Sequence, residues 1–283
     1  MTRRTALRTL AVLSAGTAAG VTVHGYVWER HALRLVRSDL PMAGLPPAFE
    51  GLRVGYITDL HHSEFVELDD IQRAVAFVTA ERPDLVIFGG DYVSYGDVRY
   101  ADPCAEALAA LQAPLGAFAV LGNHDDDRSV PDALRRRGIA VLRDASTAIT
   151  KNGDTLTLAG IRFWTRDAAD VARAIGSSRA PVLLAAHDPR RIVEASSLNV
   201  AGVIAGHTHG GQIVLPGLGA LAARKFPVAS GRFSRGGSEM FVSRGVGTVI
   251  LPVRINCPPE VNIITLRRRD AAFPPEGRAP TRS

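Results

Sequence analysis

The pattern of apolar positions in the body of the chain predicts alternating strands and helices. Short apolar runs typical of buried strands occur at 52–58, 84–88, 117–121, 181–186 and 200–205. Segments with apolar residues at helical spacing lie between them and predict helices at 68–82, 101–111 and 130–137. This alternation predicts an α/β fold built from βαβ units.

The pattern changes after Gly138, where strand-like pieces follow one another directly. These pieces are 139–142, 147–151 and 155–163. Asn152-Gly153 between the last two is typical of a tight hairpin turn. We therefore expect a second sheet that is more antiparallel than the first.

Polar residues with metal-binding side chains follow five of the predicted strands. They are Asp59 and His61, Asp91, Asn123 and His124, His187, and His207 and His209. Ligands of parallel sheets bind outside the carboxyl ends of the strands, so these side chains are expected to meet at one place. On an extended backbone residues i and i+2 point the same way, which predicts that His207 and His209 project together.

The chemistry of this set indicates a metal site. It contains five of the eight histidines of the chain, together with carboxylate and amide oxygens. Such groups bind borderline and harder divalent ions such as Mn, Fe, Zn and Co. The set is too large for one ion and suits two ions that share a carboxylate, at a separation of roughly 3.5–4 Å. The alternative, an ordinary polar loop residue, fits any one position but not the five strand ends together.

Five motifs, in this order, resemble those of the calcineurin-like metallophosphoesterase family. They are Asp59-x-His61, Gly90-Asp91, Gly122-Asn123-His124-Asp125, His187 and Gly206-His207-x-His209, and the resemblance covers 51–266. Within the family, the chain is similar to the branch of membrane-associated bacterial phosphodiesterases. That similarity is carried by Gly210-Gly211-Gln212, Ser243-Arg244-Gly245-Val246-Gly247, Pro252-Val253-Arg254 and Cys257-Pro258-Pro259-Glu260.

The resemblance implies a four-layer αββα sandwich with two mixed sheets and a dinuclear metal site at the strand ends. The ligands that it implies are Asp59, His61 and His209 for one divalent ion, Asn123, His187 and His207 for the other, and Asp91 as the bridge. It implies that a hydroxide between the ions attacks the phosphate ester. His124 would be the catalytic histidine, a histidinium donor near the leaving group, and Asp125 would orient its imidazole.

The N-terminus has a basic head followed by an uncharged apolar run. Arg3, Arg4 and Arg8 begin the chain, and the run continues to about Val27. This layout is that of an export signal, and Arg3-Arg4 suggests the twin-arginine route. The resembling branch commonly carries an N-terminal anchor or a twin-arginine signal. A retained membrane anchor is the alternative, since the run is close to the roughly 20 residues that a span needs. In either case we expect the body to lie outside the cytoplasm.

Composition and charge fit this division of the chain. We expect an export signal or anchor at 1–28, a linker at 29–50, a metallophosphoesterase domain at 51–266 and a disordered basic tail at 267–283. The net charge of +5 is carried partly by the leader and the tail. It favours acidic phospholipid surfaces or phosphate substrates over sequence-specific nucleic acid, for which no binding motif is found. Cys104 and Cys257 are expected to be free thiols.

We therefore predict a binuclear metal-dependent phosphoesterase, with phosphodiesterase preferred over phosphomonoesterase activity. The expected partners are the membrane and a phosphate ester, such as a phospholipid or a nucleotide-sugar lipid, and we expect a monomer. A metal-bound scaffold without catalysis is the alternative, although no motif residue is missing. Three further residues stay open: Arg244 and Arg254 bind phosphate or form structural ion pairs, and His62 faces substrate or solvent.

Overall fold

The computed structural model describes residues 2–269. Within this range the helices are α1 Arg3–Val27, α2 Leu68–Ala80, α3 Ala101–Ala109, α4 Ser129–Arg136, α5 Ala168–Ile175 and α6 Ile192–Ser197. The first strands are β1 Arg34–Met42, β2 Arg53–Ile57, β3 Leu85–Phe88, β4 Ala117–Ala119, β5 Ala140–Val141, β6 Ala145–Lys151 and β7 Asp154–Ile161. The others are β8 Val182–Ala186, β9 Gly202–Ala205, β10 Val214–Leu215, β11 Gly219–Ala220, β12 Gly231–Arg235, β13 Ser238–Val242 and β14 Glu260–Arg268.

Two mixed sheets form the body of the described chain. The first has the order β1-β14-β2-β3-β4-β5, and the second has the order β12-β13-β9-β8-β7-β6. Strands β2 to β5 are parallel, and β14 enters beside β2 in the antiparallel direction. In the second sheet β7, β8, β9 and β13 are parallel, and the two edge strands are antiparallel to their neighbours. A short hairpin, β10-β11, lies apart from both.

Three apolar layers hold the sheets and helices together. Side chains of α2, α3 and α4, such as Ile71 and Leu108, pack on the outer face of the first sheet. A second cluster, which includes Leu85 and Leu183, fills the space between the two sheets. A third lies between the second sheet and helices α5 and α6. Each fully buried aliphatic side chain contributes roughly 1.5–3 kcal/mol. The structure is therefore the predicted αββα sandwich.

The strands predicted to carry the site residues are confirmed, and their ends agree to within two residues. The same agreement holds for the helices predicted at 68–82, 101–111 and 130–137. In the described chain the second sheet has two antiparallel pairings, β12-β13 and β6-β7, against one in the first, β14-β2, so it is more antiparallel as predicted. Its centre, however, is parallel. Helices α5 and α6 connect β7 to β8 and β8 to β9, and such crossovers join parallel strands. The piece at 139–142 forms β5, which belongs to the first sheet.

The segment 29–50 is more than the predicted linker. It contains β1, which pairs in parallel with β14 from Arg34 opposite Glu260 to Met42 opposite Arg268. Leu40 is fully buried between the sheets. The strand was hidden in the sequence because charged residues interrupt its apolar pattern and its partner lies at the other end of the domain.

The described structure contains the predicted leader as a helix and the start of the predicted tail as part of a strand. Residues Arg3–His31 form a helical segment long and apolar enough, by length and composition alone, to cross a membrane. At the other end Arg267 and Arg268, predicted to begin the disordered tail, belong to β14. Arg269 follows the strand and donates to the carbonyl of Gly237, and residues 270–283 of the predicted tail lie outside the described residues.

The position of β1 leads to a stability prediction. Replacing Leu40 with Ala should lower the free energy of unfolding by about 2–5 kcal/mol, because it opens a cavity between the two sheets. Leu218→Ala, the same change at an exposed site, should cost less than about 0.5 kcal/mol. Urea titration of the full chain in detergent measures both values. Equal small losses would mean that 29–50 is only a linker.

Candidate metal centre

Five site residues lie in the left-handed region of backbone space. They are Asp59 with φ 54°, His61 with φ 50°, Asp91 with φ 56°, His207 with φ 68° and His209 with φ 51°. A non-glycine residue held there costs of order 1–3 kcal/mol and persists only where its surroundings fix it. The strained backbone at these strand ends sets the direction of each side chain. The extended geometry predicted for His207 and His209 is wrong, since β9 ends at Ala205 and both residues lie on a tight loop.

The structure brings the predicted ligands together in two groups. Asp59, His61, Asp91 and His209 form the first, and Asp91, His187 and His207 form the second. Within each group the possible ligand atoms lie within 4.8 Å of one another, and each group could hold a metal ion. One oxygen of Asp91 joins the groups, because Oδ2 lies 3.3 Å from Nε2 of His61 and 3.2 Å from Nε2 of His187.

The polar atoms of the two groups lack the partners that buried atoms normally have. Oδ1 of Asn123 and Nδ1 of His209 are buried without a hydrogen-bond partner among the described residues. A buried polar atom left unpaired costs about 1–3 kcal/mol. Nε2 of His61 and Nε2 of His209 also lie only 3.1 Å apart. A donor set of this kind fits divalent cations, which would satisfy several of these atoms at once.

The two histidines of the second group have opposite electrostatic surroundings. Burial lowers the pKa of His187, but the carboxylates of Asp91 and Asp59 outweigh it and raise that pKa to about 10. Burial and the neighbouring His187 lower the pKa of His207 to about 3. His187 donates from Nδ1 to the carbonyl of Gly89 over 2.8 Å, which directs Nε2 toward Asp91. The carboxylates of Asp59 and Asp91 thus favour positive charge beside them, whereas the neighbouring His207 stays neutral.

Close backbone packing fixes the two carboxylates. Asp59 accepts hydrogen bonds from the hydroxyl of Thr58 at 2.9 Å and from the backbone amide of His207 at 2.9 Å. A Cβ atom on Gly206 would collide with the Asp59 carboxylate, and one on Gly122 would collide with that of Asp91. The glycines of these motifs are therefore required because no larger residue leaves room for the carboxylates.

Asp125 acts on the backbone rather than on His124. Its carboxylate accepts hydrogen bonds from the amides of Gly122, Asp91 and Tyr92, each at 2.8 Å. The prediction that Asp125 orients the His124 imidazole is wrong. The turn at Gly122 directs the carboxylate beneath the loop after β3, where it holds the backbone of Asp91.

His124 lies at the edge of the first group. Its ring centre is 4.8 Å from that of His61, and its amide donates to Oδ1 of Asp91 over 2.9 Å. Nδ1 accepts a hydrogen bond from the amide of Tyr95 at 3.1 Å. Nδ1 therefore carries no proton, and the proton of the neutral ring is on Nε2. Burial lowers the pKa of His124, which also opposes the predicted histidinium.

Three residues left open by the sequence are placed by the structure. Arg254 is completely buried and donates to backbone carbonyls, among them those of Gly247 and His209. Within the described part of the chain its guanidinium therefore supports the backbone and is not presented to a phosphate. Arg244 lies 3.5 Å from Glu260, as the ion-pair alternative predicts. His62 is buried with Nδ1 2.8 Å from the carbonyl of Val66, so the prediction that it faces substrate or solvent is wrong.

The sequence did not reveal the walls of the cleft above these groups. A cleft of about 500 Å³ is bounded on one side by Asp91, His124, His207 and His209. The rest of its lining is largely apolar and contains Ile213, Leu215, Leu221, Phe226, Val249, Ile250 and Leu251, together with the cation of Lys225. These residues come from loops and from the two-residue strand β10, none of which has a regular hydrophobic period, so no sequence pattern joined them to the motifs.

Comparisons with known proteins agree with this geometry. A family model described as calcineurin-like phosphoesterase matches residues 52–211. The uncharacterised metallophosphoesterase YkuE of Bacillus subtilis is 26% identical over 94% of this chain and 98% of its own length. Phosphodiesterase YaeI of Escherichia coli is 30% identical over 76% of this chain and 82% of its own.

A solved structure supports the fold alone. The sulfate thiohydrolase SoxB of Thermus thermophilus has a TM-score of 0.50 and 12% identity to this chain. The match covers 79% of this chain and 57% of the SoxB chain. With the family model matching more than half of the sequence, and two ligand groups at the strand ends that it spans, the chain belongs to the calcineurin-like phosphoesterase family.

Proposed function

We propose that this chain is a two-metal phosphodiesterase that works at a membrane surface. The observation that carries the proposal is the carboxylate of Asp91, which lies between two groups of metal-binding side chains beside His124. Membership of a phosphoesterase family supports hydrolysis of a phosphate ester, and the similarity to phosphodiesterase YaeI supports a diester.

The ligand roles follow the two groups. We assign Asp59, His61 and His209 to one divalent ion, Asn123, His187 and His207 to the other, and Asp91 to both. Mn, Fe, Zn and Co all suit imidazole and carboxylate ligands. When bound, such ions supply positive charge to the phosphoryl oxygens and lower the pKa of water toward neutrality.

His124 would act on the leaving group. The Tyr95 amide occupies Nδ1, so the ring can present its Nε2 proton to an oxygen of the ester. A donor in this position stabilises the charge that develops on that oxygen as the bond breaks. Asp125 is then a positioning residue, which holds the Asp91 loop through backbone amides.

The cleft walls favour a diester. A phosphodiester carries one negative charge and two organic groups, whereas a monoester near neutral pH carries up to two charges and one organic group. Lys225 supplies the cation of the described cleft lining, and most of the remaining wall is apolar. Such a lining suits the substrate with less charge and more apolar surface.

The N-terminal segment provides the link to the membrane. We infer that Arg3–His31 crosses the membrane as an anchor or serves as a twin-arginine signal, with Arg3 and Arg4 on the cytoplasmic side. The domain would then face outward.

A substrate panel tests the proposed reaction. The purified full chain, supplied with Mn, Zn, Fe or Co, should hydrolyse bis(4-nitrophenyl) phosphate with a higher kcat/KM than 4-nitrophenyl phosphate. The reverse order would identify a phosphomonoesterase. Bound metal without turnover of either ester would support the scaffold alternative and contradict catalysis.

Metal analysis of two matched variants tests the shared carboxylate. Asp91→Asn should lose both ions, because Asp91 belongs to both groups, while the native chain should hold two. Asp125→Asn makes the same chemical change in a residue that contacts only the supporting backbone, so it should weaken binding about 10–100-fold without removing a site. Equilibrium dialysis followed by elemental analysis gives the stoichiometry. Retention of one tightly bound ion by Asp91→Asn would contradict the dinuclear arrangement.

Replacement of His124 separates catalysis from metal binding. His124→Ala should keep both ions and lose about 10²–10⁴-fold in kcat, since it removes a proton donor but no ligand. The loss should be smaller for an aryl diester, whose leaving group needs little protonation, than for an alkyl diester. His31→Ala, a histidine outside the cleft, should change neither value. Loss of an ion with unchanged turnover per bound ion would show that His124 is a ligand.

A further inference from the structure

The end of helix α1 is packed against the loop that leads away from the metal cleft. The amide of Arg254 donates to the carbonyl of Gly25 over 3.3 Å, and a Cβ atom on Gly25 would lie 2.5 Å from the carbonyl oxygen of Arg254. The amide of Cys257 donates to a carboxylate oxygen of Glu29 at 2.7 Å. The orientation of α1 relative to the domain is therefore set by direct contacts.

The same loop forms one wall of the cleft. Val249, Ile250 and Leu251 line it together with His207 and His209. Ile250 is 82% exposed and Leu251 is 54% exposed. Ile250 also has φ 66°, a conformation that is strained and rare for a β-branched residue. A strained backbone conformation thus holds the large apolar side chain of Ile250 in an exposed position.

Two exposed aromatic residues lie between this loop and the end of α1, and one of them, Phe65, lines a surface depression together with Ile250 and Leu251. Trp28, at the end of the helix, is 60% exposed. Phe65 is 47% exposed, and its carbonyl accepts a hydrogen bond from the guanidinium of Arg30 at 2.8 Å. We call Trp28, Phe65, Ile250 and Leu251 the apolar rim. Aromatic residues at the end of a membrane helix typically lie at the level of the lipid headgroups.

We propose that the apolar rim is seated in the headgroup region of the membrane that α1 enters, and that the cleft receives a lipid-linked phosphodiester from that surface. The membrane is the occupant because the rim is continuous with the helix that enters it. The substrate part rests on the proposed function, whereas the seating of the rim does not require catalysis.

The arrangement of charge and apolar surface fits such a substrate. The phosphate of a membrane lipid lies at the interface, and its hydrocarbon begins within a few bonds. In the cleft, Lys225 and the metal-binding groups would face the phosphate. The apolar wall, which includes Leu215 and Leu221, would contact the first part of the hydrocarbon. The lipid would then need to rise only a short way from the bilayer.

Fluorescent labelling tests the seating without using activity. Both native cysteines are buried, so a new cysteine at Phe65 or Ile250 can be labelled selectively with an environment-sensitive dye. Val193, which is 44% exposed on helix α6, provides the control position. The full chain is placed in vesicles of phosphatidylethanolamine and phosphatidylglycerol that carry nitroxide-labelled headgroups. The emission of labels at 65 and 250 should shift to the blue and be quenched by the nitroxides. The emission of the label at 193 should do neither. Equal, water-like emission at all three positions would overturn the proposal.

A kinetic comparison tests the lipid substrate. Phe65 lies outside the residues that line the metal cleft, so Phe65→Glu should leave hydrolysis of bis(4-nitrophenyl) phosphate unchanged. It should lower hydrolysis of a phosphatidyl diester in vesicles about tenfold, since a charge replaces an apolar contact with the bilayer. Val193→Glu should change neither rate. Equal losses on both substrates would indicate a structural role and overturn lipid entry at the rim. If the native chain hydrolyses neither ester, the proposed function fails. The fluorescence of the labelled variants would still show whether the apolar rim lies in the headgroup region.

Discussion

The arrangement of this protein depends on one buried carboxylate, that of Asp91. It lies between His61 and His187, one on each side, and its backbone is held in the left-handed region by Asp125. A buried negative charge is unfavourable unless positive charge is nearby. The neighbouring histidines only partly supply that charge, because burial keeps the pKa of His209 well below its ordinary value and that of His207 near 3. Cations held by the two groups would therefore stabilise the carboxylate.

The sandwich brings together, from two separate sheets, the side chains that surround Asp91. Strands β2, β3 and β4 of the first sheet and β8 and β9 of the second end at the same edge. The apolar layer between the sheets sets their spacing, and glycine at positions such as 122 and 206 lets the backbone of the loops approach the carboxylates. The stability of the core and the geometry of the metal-binding groups are thus coupled through the same strands.

The sequence predicted the parts of this arrangement that are local. Apolar runs located β2, β3, β4, β8 and β9, and the polar residues after them located the two groups. It could not predict β1, because a strand with interrupted apolar spacing is stabilised only by its distant partner β14. It also could not show that Asp125 binds backbone amides and not His124, since that choice depends on the direction of a turn. The cleft walls were missed because loops bring them together.

The two buried thiols have a consequence for where the protein can mature. Cys104 lies in the core of the first sheet, whereas Cys257 lies beneath His209, with its sulfur 3.3 Å from that residue's carbonyl oxygen. Burial raises the pKa of both thiols, which keeps them protonated and slow to react. No covalent bond between them holds the described fold together. The domain can therefore complete its folding in a reducing compartment and keep the same structure in an oxidising one, without help from disulfide-forming enzymes.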